Sequence, residues 1–497
     1  MGMRHPTLPD MSRLIAVAKG DGIGPEIMDA VLSIFKRAKV PLKYQFIDMG
    51  YDTYKKGFST GMTPDAQATV ENCGILFKGP MMTPKGAGVK SINVTARKVW
   101  NTFANKRVYE SLPGITNTPY AMAGIPVNLC LIRENIEDVY GAIEHSQTHD
   151  VTQCRRLVTR PGSLQVHKFA FESARARNSK RVTCGHKANI MKITDGLFLE
   201  TFYEVAKLYP EIKADDVIID DLCMKLVMRP QDFDVIVSTN LQGDIVSDLA
   251  AGLIGGLGLC PSANIGDNIV LFEAVHGTAP DIAGKNMANP TALLLSGIMM
   301  LRHVGLGRYA TALHSSLLTT LKEGYFTKDL MGQNLDSSKA LSTTQFADAV
   351  VDHFSDELKN HTTSLSIPTP QIDISLGENI MRSTKPRPAE KTVGIDLFVD
   401  SDLQPKLLAA KMKTLIPQEL KLVMISNRGT QVWPTGSVFT ELVNHYRVRI
   451  ESPDLSPLDE SDLLQVASGV SKTLRVCSIE MLRVFGEKRG YSLAQGQ

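Results

Sequence analysis

The chain has 497 residues, 43% of them apolar and 21% charged, with Lys+Arg 54 against Asp+Glu 52. That length exceeds a single compact core and predicts two to four domains, while a net charge of +2 gives no field suited to nucleic acid or an anionic membrane as main partner. A mean hydropathy of -0.05, with no apolar run near about 18 residues, excludes a spanning helix. The segment Met1 to Arg13 has no apolar stretch and carries Asp10 among its basic residues, so neither a secretory signal nor a transit peptide is expected. The seven cysteines are odd in number and form no C-x-x-C pair, which argues for a reducing compartment, and a cytoplasmic location is the expectation.

The first predicted strand, Leu14 to Val17, runs into Gly20-Asp-Gly-Ile-Gly-Pro25, where proline opens a helix. Ile27, Val31, Ile34 and Phe35 give that helix one apolar face. The three glycines and Asp48 suggest a dinucleotide turn, but the third glycine comes one residue early for G-x-G-x-x-G, and a tight strand-to-helix turn is the better reading. Further strands are expected at Leu42 to Ile47, Gly74 to Phe77, Asn128 to Ile132, Val182 to Cys184, Val217 to Ile219 and Val235 to Val237. Strands alternating with helices predict a parallel or mixed sheet covered on both faces. The stretch Phe354 to Glu390 is polar and dotted with prolines and reads mainly as a linker. Beyond it, a half-buried strand at Val393 to Val399, a helix at Leu403 to Ile416, strands at Leu420 to Ile425 and Tyr446 to Ile450, and a last helix from Leu463 through Val484 make a β-α-β-β-α module.

Asp244 and Asp248 stand one turn apart at the start of a predicted helix, where two like charges repel by a few tenths of a kcal/mol. Paired hard carboxylates suit Mg²⁺ or Mn²⁺, and Asp220 is a third candidate; helix capping and dipole pairing are the structural alternatives. Arg97, Arg107 and Arg133 offer forks for carboxylates, with Ser91 and Asn93 beside the first. Lys187 follows a short strand and could serve as a base if partly desolvated, and Tyr140 fits either a proton donor or a core residue.

The ordered set Gly20 to Pro25, Arg133-Glu-Asn-x-Glu-Asp-x-Tyr140, His186-Lys-Ala-Asn-Ile-Met-Lys192, Asn240-x-x-Gly-Asp-x-x-Ser-Asp248 and His276-Gly-Thr-Ala-Pro280 resembles the isocitrate/isopropylmalate dehydrogenase family over roughly residues 12 to 350. The resemblance implies that family's mixed α/β sheet: a large cofactor domain (1–105 and 255–350), a small domain with a dimer-forming segment (106–254), a linker (351–390) and a C-terminal module (391–497). It implies a β-decarboxylating dehydrogenase acting as a homodimer or higher homo-oligomer with shared active sites. Asp244 and Asp248 would bind Mg²⁺ or Mn²⁺ with Asp220 of the partner, Lys187 of the partner would be the base, and Tyr140 the acid. Arg97, Arg107 and Arg133 would hold substrate carboxylates.

Ser91-Ile-Asn93-Val-Thr-Ala-Arg97 matches the isocitrate pattern, with neither the glutamate nor the leucines that line an isopropyl pocket. Isocitrate is therefore the expected substrate, within the tricarboxylic acid cycle, ahead of 3-isopropylmalate or homoisocitrate. A non-catalytic regulatory subunit is the reading of another class, and the presence of Tyr140, Lys187 and the three aspartates weighs against it. The adenosine-binding loop would comprise His276, Gly277, Thr278, Ala279, Asp281, Ile282 and Asn289, with Thr83 and Asn189 as further cofactor contacts. Asp281 and Ile282 stand where NADP-specific bacterial relatives have lysine and tyrosine, so NAD is the expected cofactor. The C-terminal extension resembles that of a longer bacterial subgroup.

Overall fold

The first apolar run forms β1 (Arg13–Ala18), with Ile15 and Val17 in one core cluster and Ala16 and Ala18 in another, so both faces of the strand are covered. The following helix, Gly24–Arg37, carries proline in its first turn and buries Ile27, Val31, Ile34 and Phe35 completely. Each such side chain contributes roughly 2 kcal/mol of burial. The protein is described by a computed structural model over residues 13–82, 91–331, 337–360 and 388–494.

The strands that join β1 are β2 (Leu42–Phe46), β3 (Ile75–Lys78), β4 (Ala104–Glu110) and β5 (Asn128–Glu134). A separate two-stranded ribbon is made by β6 (Glu144–Ser146) and β7 (Thr152–Cys154). The main sheet is completed by β8 (Arg181–His186), β9 (Lys213–Ile218), β10 (Val235–Ser238), β11 (Pro261–Ile265) and β12 (Val270–Ala274). Its ten strands run in the order β2-β1-β3-β12-β11-β4-β5-β10-β8-β9. Pairing is parallel in both wings and antiparallel between β12, β11, β4 and β5. The expected mixed α/β sheet is therefore present. Two parallel blocks meet head to tail at its centre, the kind of switch point where α/β proteins place ligands.

The chain divides into two compact units: Met1–Tyr140, Val158–Lys187 and Leu197–Gly377 in one, and Gly141–Leu157, Ala188–Gly196 and Glu378–Gln497 in the other. The first holds the ten-stranded sheet. In the second, β13 (Glu390–Asp400), β14 (Lys421–Asn427), β15 (Thr430–Trp433), β16 (His445–Glu451), β17 (Arg475–Phe485) and β18 (Lys488–Arg489) form a sheet in the order β15-β14-β16-β13-β17-β18. Helices Pro405–Leu415 and Glu460–Ser471 cover one face through Leu408, Met412, Leu463 and Val470. The β6–β7 ribbon belongs to this unit, tied by Ser478 Oγ to Gln147 Oε1 at 2.9 Å, Thr148 Oγ1 to Asn444 Oδ1 at 3.1 Å and an Arg155–Glu480 ion pair.

Three expectations are corrected here. The last helix ends at Ser471, and Arg475 to Phe485, read as its continuation, is β17, hydrogen-bonded along β13. Leu474, Cys477 and Met481 recur at helical spacing by coincidence, in a segment rich in β-formers. β13 is buried on both faces rather than on one, because Asp396 on its polar face is sealed in a bidentate pair with Arg449, at 2.8 and 2.7 Å. The helix Thr343–Asn360 extends into the stretch read as linker, and residues 361–387 lie outside those described.

Candidate active site

Asp244 sits in the helix Asn240–Ile254, which starts just past the C-terminal end of β10 and packs over β5 and β4. Gly243 permits that approach, since a Cβ there would meet Arg133 Cγ at 2.9 Å. Arg133, at the end of β5 and almost wholly buried, donates Nε and Nη2 to Asn240 Oδ1 at 3.0 and 2.7 Å and pairs through Nη1 with Asp244. Arg107 of β4 binds Ser247 and Asn105 Oδ1, the latter at 2.6 Å, and lies 3.4 Å from Asp244 and 3.9 Å from Asp248. The Tyr140 hydroxyl donates to Asp244 Oδ2 at 2.7 Å, and its ring lies under the Arg133 guanidinium, 4.9 Å from the ring centre.

The Tyr140 loop is pinned at three points. Asp138, in the left-handed region at φ 67, accepts from Leu241 N at 2.9 Å and so bridges to the Asp244 helix. Glu134 accepts from Ile136 and Glu137 N, and Lys98 Nζ donates to Tyr140 O at 2.7 Å. Burial alone would raise the Asp244 pKa, but Arg133 and Arg107 outweigh it and hold the carboxyl below its usual range. Burial pushes the Tyr140 phenol up, against the opposing pull of Arg133. The tyrosine carries its proton at neutral pH, as an acid must before it reacts.

On the other flank, helix Ile92–Val99 starts at Ser91, whose Oγ caps Val94 N at 3.4 Å. Arg97 in that helix pairs with Glu273 of β12 at 3.1 Å. Glu273 also pairs with Lys78, whose Nζ donates to Asn93 Oδ1 at 2.8 Å. Burial opposes the Glu273 charge, and Lys78 and Arg97 overcome it and keep the carboxylate ionised.

Lys187 and Asp220 form an ion pair with each other. Asp220 lies in the first turn of the helix Ile219–Met228, just past β9. Among the described residues no three metal-donor side chains converge within one chain.

The turn at Gly20 to Gly24 packs against the His276 loop rather than framing an open phosphate cradle. Gly22 has φ 60, a Cβ there would meet Thr278 O at 2.1 Å, and Ile23 N donates to Thr278 O at 2.9 Å. In that loop the buried Nε2 of His276 has no hydrogen-bond partner, so a polar ligand atom is the fitting complement. Gly277 and Ala279 are exposed, the latter with φ 38, and Pro280–Ile282 is a 3-10 turn with Asp281 exposed and Ile282 partly packed on the core. Asn289 is buried, its Nδ2 on Asp329 at 2.9 Å. Asn189 is exposed in the segment Ala188–Gly196 of the other unit, and Thr83 lies outside the described residues.

The structure thus brings together Arg107, Arg133, Tyr140, Asp244 and Asp248, and joins Arg97 to Asn93 through two residues the motifs did not flag, Lys78 and Glu273. A lysine closing the apolar strand Ile75-Leu-Phe-Lys78 was the available signal. Such a cation is almost never buried unless paired.

Buried arginines around a pair of aspartates, at the switch point of a mixed sheet, make a site of the kind that α/β enzymes use for small anionic ligands. The sequence pattern of the isocitrate/isopropylmalate dehydrogenase family matches residues 14–350, and the chain belongs to that family. The bacterial isocitrate dehydrogenase C-terminal domain matches residues 390–497, so the chain is of the long bacterial isocitrate dehydrogenase type with a C-terminal extension. It is 40% identical over 501 residues to a Thermus thermophilus protein named isocitrate dehydrogenase [NADP], covering 100% of this chain and 98% of that one. Over 338 residues, 67% of this chain and 86% of the other, it is 47% identical to the Arabidopsis thaliana mitochondrial isocitrate dehydrogenase [NAD] catalytic subunit 5. The solved structure of the TT0538 protein from Thermus thermophilus superposes with a TM-score of 0.89 at 39% identity, covering 99% of this chain and 97% of that one. That of isocitrate dehydrogenase from Methylococcus capsulatus gives 0.65 at 43% identity, covering 69% and 99%.

Proposed function

We propose that this chain oxidises isocitrate to 2-oxoglutarate and CO₂ in the tricarboxylic acid cycle, with NAD⁺ and with Mg²⁺ or Mn²⁺, as a cytoplasmic homodimer or higher homo-oligomer. The observation that carries this reading is the convergence of Arg107, Arg133 and the Tyr140 hydroxyl on Asp244, with Asp248 one turn along the same helix. Lys78, Arg97, Arg107 and Arg133 oppose Glu273, Asp244 and Asp248, an excess of one positive charge. A tricarboxylate accompanied by a divalent cation carries the complementary single negative charge.

Asp244 and Asp248 supply the hard oxygen donors such a cation needs, and Asp248 is 63% exposed and able to receive it. The family resemblance implies that Asp220 of a second copy would complete the set, and among the described residues no third donor joins Asp244 and Asp248. When bound, the cation polarises the substrate hydroxyl and the carbonyl oxygen that develops from it. Arg97, Arg107 and Arg133 hold the carboxylates and fix the C2 hydrogen for transfer to the nicotinamide. Lys187 of the second copy takes the hydroxyl proton. After CO₂ leaves, Tyr140 returns a proton to the C3 carbon.

NAD⁺ rather than NADP⁺ is supported by Asp281 and Ile282. Relatives matched over nearly the whole chain, from Thermus thermophilus and Rickettsia felis, are named for NADP, and two plant subunits matched over 67% of it are named for NAD, so the support for NAD⁺ rests on the loop residues. A carboxylate at position 281 suits two ribose hydroxyls and repels a 2′-phosphate, and Ile282 supplies no compensating donor.

The test is turnover of isocitrate, 3-isopropylmalate and homoisocitrate by the purified chain, each with added Mg²⁺ and with a chelator. Isocitrate is turned over best, and the chelator stops it. Comparable use of another substrate, or turnover that survives chelation, overturns the assignment.

Ser91 offers an electrostatic check. Ser91→Asp keeps a good helix cap, because aspartate serves at that position as well as serine does, yet sets a negative charge at the substrate carboxylates. Isocitrate turnover falls at least about a hundredfold, roughly 2.7 kcal/mol, with the melting temperature unchanged. An active variant would remove Ser91 from the site.

A further inference from the structure

We propose that Asn264 is a positioning residue that couples the arginines on the two flanks of the site, an inference that rests on the isocitrate reading. Lys78 of β3, Glu273 of β12, Ser262 of β11 and Arg107 of β4 are successive cross-strand partners. Asn264 and Asn105, partners two residues along, share their face of the pleat. One face of the antiparallel centre therefore carries a ladder of polar groups. Asn105 and Asn264 are wholly buried. Burial of this many polar groups is costly unless they are partnered, and here Asn135 Oδ1 and Arg97 Nε are buried without a hydrogen-bond partner.

The amide at 264 has a fixed orientation. Its Nδ2 donates to Glu273 Oε1 at 2.7 Å, and its Oδ1 accepts from Asn105 Nδ2 at 2.9 Å and Asn135 Nδ2 at 3.1 Å. A carboxylate at 273 can only accept, so the nitrogen of Asn264 must face it. Asn105 spends its donors on Asn264 and on Ser262 Oγ at 2.8 Å, which leaves its Oδ1 for Arg107 Nε at 2.6 Å. The dipoles run head to tail from the Arg107 cation to the Glu273 anion, whose Oε1 also holds Arg97. A third arm, Asn135, bonds Thr102 O at 2.9 Å and lies at the base of the Tyr140 loop. Asn264 thereby sets Arg97, Arg107 and the Tyr140 loop relative to one another without touching substrate. An amide carries its donor and its acceptor on separate atoms, so Asn264 can donate to the carboxylate on one side and accept from two amides on the other.

The experiment compares the wild type with Asn264→Asp. The substitution sets two acceptors against each other at Glu273 and keeps the acceptor for Asn105 and Asn135. The KM for isocitrate rises at least about tenfold in Asn264→Asp, and the KM for the dinucleotide changes less than about threefold. A folded Asn264→Asp enzyme with an isocitrate KM within about threefold of wild type overturns the proposal, as does an equal rise in both KM values. Should Asn264→Asp not fold, Asn105→Asp is the replacement. It keeps the acceptor for Arg107 and loses the donor to Asn264, and an isocitrate KM unchanged there is equally fatal. Absence of isocitrate turnover in the wild type instead overturns the functional reading and this inference with it.

Discussion

Replacing Asp244 with asparagine lowers kcat/KM for isocitrate by at least about a thousandfold, some 4 kcal/mol at 1.36 kcal/mol per decade. The carboxylate is the common partner of Arg107, Arg133 and the Tyr140 hydroxyl. Asparagine retains its size but removes the charge. The loss has three parts: a hard anionic donor for the divalent cation, the anion that balances two buried guanidiniums, and the acceptor that aims the phenol. The first of these predicts that excess Mg²⁺ or Mn²⁺ restores only a fraction of the rate. Circular dichroism serves as the control for folding. A loss of less than about tenfold in folded protein would mean that Asp244 only balances Arg107 and Arg133 and that the cluster serves something else.

The second large effect is on cofactor choice. Asp281→Lys with Ile282→Tyr moves the ratio of kcat/KM for NADP⁺ over NAD⁺ upward by about a thousandfold. Removing a carboxylate beside the 2′-phosphate and supplying an ammonium and a phenol in its place changes two charge contacts. Each partly desolvated charge-assisted contact is worth about 1.5–3 kcal/mol. The positions are suited to the exchange, since Asp281 is exposed on a short 3-10 turn and Ile282 is only partly packed. Little of the fold depends on them. If the double variant binds both dinucleotides as the parent does, the 2′ position lies elsewhere.

How far the sequence anticipated this molecule depended on whether apolar pattern and site coincide. The wings of the main sheet were legible because strands such as Val235–Ser238 are continuous apolar runs buried on both faces. In the antiparallel centre β5 was anticipated, and β4, β11 and β12 were not. Ala104–Glu110 and Pro261–Ile265 carry Asn105, Arg107, Ser262 and Asn264 inward, and buried polar residues erase the signal that marks a strand. The site suffered the same division. Arg107, Arg133, Tyr140, Asp244 and Asp248 stand in long motifs and were found. Lys78, Glu273, Asn105 and Asn264 stand outside those motifs, and only cross-strand register brings them together. In the C-terminal part, helical spacing from Leu463 ran on by coincidence into β17, where pairing along β13 overrode it.

Metal-dependent oxidative decarboxylation of isocitrate with NAD⁺ is tested by steady-state kinetics on the unmodified chain with isocitrate and Mg²⁺, run in parallel with NAD⁺ and NADP⁺. One 2-oxoglutarate and one CO₂ are expected per dinucleotide reduced, with a kcat/KM for NAD⁺ at least about a hundredfold above that for NADP⁺, equivalent to roughly 2.7 kcal/mol. No turnover by the folded chain, or equal or better use of NADP⁺, would contradict it.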